Sequence, residues 1–200
     1  MMKPKRALEK LNSPNLPNLY LLGFMGTGKS VLGRRLSARF GLRFLDSDAE
    51  IEKKNAMSIK DIFAKKGELA FRQMERDFME SGHPQSGCVI SCGGGLVCRE
   101  GMPELVKSKG ISIVLFAEPE VIFKRVQGSG KRPLLNVPDP LSRIRELMEA
   151  RRKFYSRAGI CVGSMGRIED VENRIARIYL ERVRKLENDK KFGAKAFFRP

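Results

Sequence analysis

The sequence predicts an α/β fold, a parallel sheet covered by helices on both faces, and three observations predict it. Short apolar runs alternate with helix-period stretches along most of the 200 residues, the pattern of strands joined by crossover helices. The run at 111–117 is almost continuously apolar, as a strand buried on both faces must be. A glycine-rich segment, Gly23-Phe24-Met25-Gly26-Thr27-Gly28-Lys29-Ser30, lies between the first apolar run and the first helical stretch, where such sheets place their ligands.

Each element follows in order. The apolar run at 19–22 is the first strand, and Val31, Leu32, Leu36 and Phe40 give the helix at 29–40 its apolar stripe. A short strand is expected at 44–45. Ser58 with Asp61 is a capping-box-like start for a helix over 58–81, in which Phe71, Met74 and Phe78 form the stripe. Strands at 88–91 and 111–117 flank a helix at 100–109, and a further helix is expected at 119–127. In the helix at 141–157, Leu141, Ile144, Met148, Arg151 and Tyr155 share one face, so Arg151 falls inside the apolar stripe while Arg143 and Arg157 point away. A strand at 160–162 precedes a helix at 169–187, spaced by Ile175, Ile178, Tyr179 and Val183. Residues 1–18 read as a basic, proline-containing extension, 19–187 as one domain, and 188–200 as a disordered basic tail.

Composition bounds the function. Apolar residues are 42% and charged residues 31% of the chain, a globular balance and not a disordered one. No run of 18 apolar residues offers a membrane span. The 39 Lys and Arg against 23 Asp and Glu give a net charge of +16. The tails carry +3 (1–18) and +4 (181–200), leaving +9 on the rest. A small polyanionic substrate accounts for a basic site of that size, and with no aromatic-interleaved basic patch a nucleic-acid partner is not expected. Cys88, Cys92, Cys98 and Cys161 lack zinc-site spacing, His83 is the only histidine, and no apolar leader precedes the domain. These features fit reduced cysteines in a cytoplasmic protein.

The glycine-rich segment matches G-x-x-x-x-G-K-[ST] in full. Glycines let successive backbone N–H groups curl around a phosphate, and the following helix directs its N-terminus at the anion. Lys29 would reach the β- and γ-phosphates, and the Ser30 hydroxyl would ligate Mg²⁺. A nucleoside triphosphate is therefore the expected donor. The loop alone does not name the acceptor.

Four further features bear on the acceptor. Asp46-Ser47-Asp48 follows the second strand. Read as extended chain it puts both carboxylates on one side, suited to Mg²⁺ and hydroxyl activation, whereas an isolated Asp-x-Asp is more often a helix cap or turn. Arg72 and Glu75 are an i,i+3 pair beside the apolar stripe, in the run from Gly67-Glu68. Gly93, Gly94 and Gly95 follow an apolar strand and allow either a close approach to a ligand or a sharp turn. Arg151 within an apolar stripe needs a partner, for which a substrate carboxylate is one candidate, and the preceding basic loop Gly128-Ser129-Gly130-Lys131-Arg132-Pro133 could close over phosphates.

In this order, these residues resemble the shikimate kinase family. The resemblance runs from about Leu19 to about Arg182 and includes Glu50-Ile51-Glu52, Ile62-Phe63 and Arg132-Pro133-Leu134-Leu135 besides the features above. It implies a nucleoside-monophosphate-kinase-like fold with a five-stranded parallel sheet, a substrate region near 46–75 and a lid near 125–138. It implies ATP and shikimate as ligands and Mg²⁺ as cofactor, in a monomer. ATP would meet Gly26, Thr27, Gly28, Lys29, Ser30 and Val31, with Arg125 stacking on adenine and Arg132 joining Lys29 on the transferring phosphoryl. Arg72 and Arg151 would take the substrate carboxylate, and Asp48 the ring hydroxyls, helping to activate the 3-hydroxyl. Gly93, Gly94 and Gly95 would lend backbone contacts, Glu75 would hold Arg72, and Phe63 and Phe71 would shape the pocket. Asp46 would help Ser30 hold Mg²⁺ through water. A related small-molecule kinase such as a gluconate kinase is the alternative, and needs no paired-arginine clamp.

Overall fold

The computed structural model describes residues 16–127 and 135–196. Five strands form one sheet: β1 (Asn18–Gly23), β2 (Arg43–Asp46), β3 (Cys88–Ser91), β4 (Gly110–Phe116) and β5 (Ile160–Gly163). All pairings are parallel, in the order β2-β3-β1-β4-β5. Seven helices connect and cover them among the described residues: α1 (Lys29–Phe40), α2 (Ser47–Asn55), α3 (Ile59–Ser81), α4 (Met102–Lys109), α5 (Pro119–Val126), α6 (Pro140–Ala158) and α7 (Ile168–Ala196). The three-layer architecture agrees with the sequence reading. Among the described residues no helix is long and apolar enough to cross a membrane.

Side-chain alternation along the central strands divides the core. Leu19, Leu21, Val89, Ile113 and Leu115 face one side with Leu32, Leu36 and Phe40 of α1 and Val171, Ile175 and Tyr179 of α7. Tyr20, Leu22, Ile90 and Val114 face the other, against Ile62, Phe71, Phe78 and Met79 of α3 and Val106 of α4. A third cluster joins Phe24 to Ile122 and Val126 of α5 and Ile144 of α6. The chain leaves β1 toward β2 on one side of the sheet and later returns to fill the other side. That reversal opens a crevice at the carboxyl end of β1, beside the glycine-rich loop.

Three boundaries differ from the sequence reading. A helix, α2, occupies 47–55, where none was expected; apart from Ile51 the segment buries no large apolar side chain, so it carries no periodicity to read. The last helix extends to Ala196 and not 187. The segment expected to be disordered from 188 is therefore helical as far as Ala196. At the other end β1 begins at Asn18, which is fully buried, and Tyr179 Oη donates to Pro17 O (2.7 Å), so the domain already includes residues placed in the extension. Within α3, Gly67 leaves helical geometry (φ 80°, ψ 171°) and kinks a stretch read from the sequence as one helix.

Candidate active site

The glycine-rich loop turns back on itself through Gly26 (φ 76°) and Gly28 (φ 91°), left-handed conformations that favour glycine. Gly28 then caps α1 with no side-chain hydrogen bond, which keeps side chains away from the first-turn N–H groups. Lys29, buried at 9% exposure, donates through Nζ to Gly23 O (2.8 Å) and Phe24 O (2.9 Å). Thr27 Oγ1 donates to Phe24 O (2.8 Å) and closes the turn. Loop and sheet end together form a cavity of about 620 Å³, lined by Met25 to Leu32, Asp46, Asp48, Ser91 to Gly94, Arg125, Ser164 and Gly166, among others.

Asp46 and Asp48 both line this cavity, but not on extended chain as expected. Asp46 ends β2 and caps α2, its Oδ1 accepting from the Asp48 N–H (3.2 Å), because aspartate is a favoured helix cap. The carboxylate that caps α2 is thus also one that lines the cavity. The other Asp46 oxygen, Oδ2, accepts from Ser30 Oγ (3.1 Å), and Ser30 Oγ also shares a hydrogen bond with Ser91 Oγ (3.1 Å). Between the two aspartates, Ser47 is fully buried and its Oγ accepts from the Gly93 N–H (2.8 Å). Burial and the neighbouring Asp46 carboxylate raise Asp48 above the usual carboxylate range, with Lys29 pulling it down. A carboxylate so raised is a stronger proton acceptor than a solvated one.

The triple glycine meets these groups from the opposite wall. A Cβ on Gly93 would fall on Asp48 Oδ1, and one on Gly95 would lie 2.7 Å from Arg72 Nη1, so a side chain at either position would have to displace that group. Arg72 Nη1 donates to Glu75 Oε2 (2.7 Å), and its Nη2 to Glu68 Oε1 (2.9 Å). Glu75 is 2% exposed, far from the surface pair that its spacing alone would suggest. Burial pushes its carboxyl up to about 7, with Arg72 pulling it down. Phe63 packs on Phe71 (centroids 4.8 Å apart), and the Arg72 guanidinium lies over the Phe71 ring (5.5 Å).

From α6, Arg151 is half-buried, as its place in the apolar stripe predicts. Its Nη1 donates to Gly94 O (3.2 Å) and its guanidinium lies 5.4 Å from the Phe24 ring centroid. Arg72 and Arg151 thus approach adjacent residues of the glycine loop from two different helices. Arg125, exposed at the end of α5, donates to Gly26 O (3.2 Å) and Ser164 O (2.8 Å) across the cavity mouth. Val31 is exposed on the rim. Arg132, the rest of the 128–133 loop and half of the expected lid lie outside the described residues.

Sequence reasoning missed Ser47, Ser91, Phe24 and Ser164. Phe24 fills a variable position of the loop motif, and the serines sit at strand ends without a spacing signal. Only their nearness to motif residues could have pointed to them.

The comparisons with known proteins agree with this geometry. A sequence model of the family described as Shikimate kinase matches residues 25–183. A curated shikimate kinase of Thermodesulfovibrio yellowstonii is 38% identical over 165 residues, 82% of this chain and 95% of that protein. A solved structure of shikimate kinase from Acinetobacter baumannii in complex with shikimate superposes with a TM-score of 0.78 at 33% identity, covering 84% of this chain and 94% of that one. A gluconokinase from Sinorhizobium meliloti shares the fold at 14% identity and a TM-score of 0.56.

Proposed function

The chain belongs to the shikimate kinase family, and we propose that it transfers the γ-phosphoryl group of ATP to the 3-hydroxyl of shikimate, giving shikimate 3-phosphate and ADP. The observation that carries this reading is the pair Arg72 and Arg151 at neighbouring glycines beside Asp48, within reach of an intact phosphate loop.

The chemistry assigned to each residue follows from its place. Phosphoryl transfer needs positioning and charge neutralisation more than covalent help. The N–H groups of Gly26 to Val31 cradle the ATP phosphates, and Lys29 neutralises charge on the transferring group, joined in this reading by Arg132. Arg125 borders the adenine. Arg72, held by Glu75, and Arg151 hold the acceptor carboxylate from two sides. That grip turns one ring hydroxyl toward the γ-phosphate, with Phe63 and Phe71 limiting the pocket. The oxygen of that hydroxyl attacks the γ-phosphorus, the bond to the β,γ-bridging oxygen breaks and ADP departs. The hydroxyl proton passes to the Asp48 carboxylate.

Ser30, Ser91 and Asp46 offer only oxygen donors and a single carboxylate, the set that Mg²⁺ accepts alongside water and nucleotide phosphates. Ser30 would hold it directly and Asp46 through water; it would supply neutralising charge at the β- and γ-phosphates. The reading includes a cytoplasmic monomer, which sedimentation of the purified protein checks for the second term.

ADP release measured with shikimate and, separately, with gluconate tests the reading. Turnover with shikimate is expected, and turnover with gluconate alone would overturn it.

A further inference from the structure

Tyr155 stands outside every role assigned above, yet its hydroxyl reaches the acceptor wall. It lies one turn beyond Arg151 on α6, on the same face, and its Oη donates to Gly94 O (2.5 Å). The same carbonyl accepts from Arg151 Nη1 (3.2 Å) and more weakly from Cys98 Sγ (3.8 Å). A carbonyl with three donors, one of them short, is held tightly. Gly94 also abuts the phosphate loop: a Cβ there would be 3.4 Å from Met25 N and 3.7 Å from Gly23 O. One residue therefore touches the donor loop on one side and the acceptor arginine on the other.

On the acceptor reading above, we infer that Tyr155 is a positioning residue for phosphoryl transfer, fixing through Gly94 both the glycine loop and the Arg151 guanidinium. The ring packs against the apolar clusters on both sides of α6, beside Cys98 and Met148, so the hydroxyl comes to Gly94 on a rigid support. Burial raises the phenol far above its ordinary value, which keeps it a hydrogen-bond donor across the pH range of any assay. Arg151 alone could not do this work. Its flexible stem must serve the ligand, whereas the tyrosine has two torsions and no charge to satisfy. Loss of the hydroxyl leaves the ring in place and frees Gly94 O to shift, and Arg151 with it. The acceptor, and not the nucleotide, feels that change.

The test is Tyr155→Phe, which keeps the packed ring. The KM for shikimate is expected to rise about tenfold, the loss of one short hydrogen bond, with kcat within about twofold and the KM for ATP unchanged. Arg151→Lys and the double variant complete a cycle: if Tyr155 acts through Gly94 on Arg151, the double variant is no worse than the poorer single one. A merely structural role would lower the melting temperature while leaving both KM values alone, and that result, or additive effects in the cycle, overturns the inference. Wild-type protein that fails to turn over shikimate would defeat the acceptor reading itself. Active wild type with an unaltered Tyr155→Phe KM would defeat only the role of Tyr155.

Discussion

Arg72 Nη1 lies 2.7 Å from Glu75 Oε2, one turn along the same helix, and the acid is all but sealed from water. On the proposed reading the pair is one half of the carboxylate clamp; the buried Glu75 holds the Arg72 guanidinium beside Gly95. Because burial brings the Glu75 carboxyl up to about 7, its charge changes within the working range. Above that value Glu75 is ionised and competes with an incoming carboxylate for Arg72; below it, the competition is relieved. The KM for shikimate is therefore expected to rise severalfold between pH 6 and pH 8, and to stay flat in Glu75→Gln. Steady-state kinetics at constant ionic strength decides it.

Gly93 faces Asp48 so closely that a methyl group must displace the carboxylate. Gly93→Ala is expected to lower kcat with shikimate at least about 100-fold, the cost of misplacing a reacting group by an ångström. ADP affinity, which depends on the phosphate loop, should change little. Calorimetry with ADP alongside turnover separates the two.

Arg151→Ala removes one side of the proposed carboxylate clamp. About 3 kcal/mol of transition-state binding should go with it, roughly a 100-fold fall in kcat/KM for shikimate. An unchanged kcat/KM would remove Arg151 from the site.

The only histidine serves the fold at the far end of the sheet from the phosphate loop. His83 Nδ1 is 2.8 Å from Pro84 O, a group that can only accept, so Nδ1 carries the proton and Nε2 accepts from Tyr20 Oη (3.3 Å). Asn18 completes the network, donating to Pro84 O (2.7 Å). Burial lowers the His83 pKa below its ordinary 6.5, so the folded state holds the neutral ring. Its stabilising contribution is present above pH 6.5 and is lost as pH falls below that value toward the folded pKa. The raised carboxyls of Glu75 and Asp48 act with the opposite sign and equally in both proteins, so the urea midpoint of the wild type should fall relative to that of His83→Gln between pH 7 and pH 5.

How much of this was legible in the sequence depended on the kind of signal. The phosphate loop is written in consecutive residues, and Leu32, Leu36 and Phe40 declare the helix behind it by period alone. Arg151 was visible as a charge out of place in an apolar stripe. Glu75 was named only through the resemblance, and its burial was not legible: the spacing to Arg72 is the same for a surface pair and a buried one, and only the packing of α3 on the sheet distinguishes them. Asp46 looked like either a cap or a site and is a cap that lines the site. Helix α2 escaped because a nine-residue helix with one buried apolar anchor has no stripe. Phe24 and the hydroxyl of Tyr155 matter through partners more than 50 residues away along the chain, a distance over which local pattern says nothing.

The most direct test of the carboxylate clamp is a crystal structure with ADP and shikimate bound together. The account predicts both the Arg72 and Arg151 guanidinium groups on the one carboxylate, with the 3-hydroxyl beside Asp48 and facing the β-phosphate. A carboxylate bound elsewhere, with either arginine still engaged only by protein groups, would contradict it.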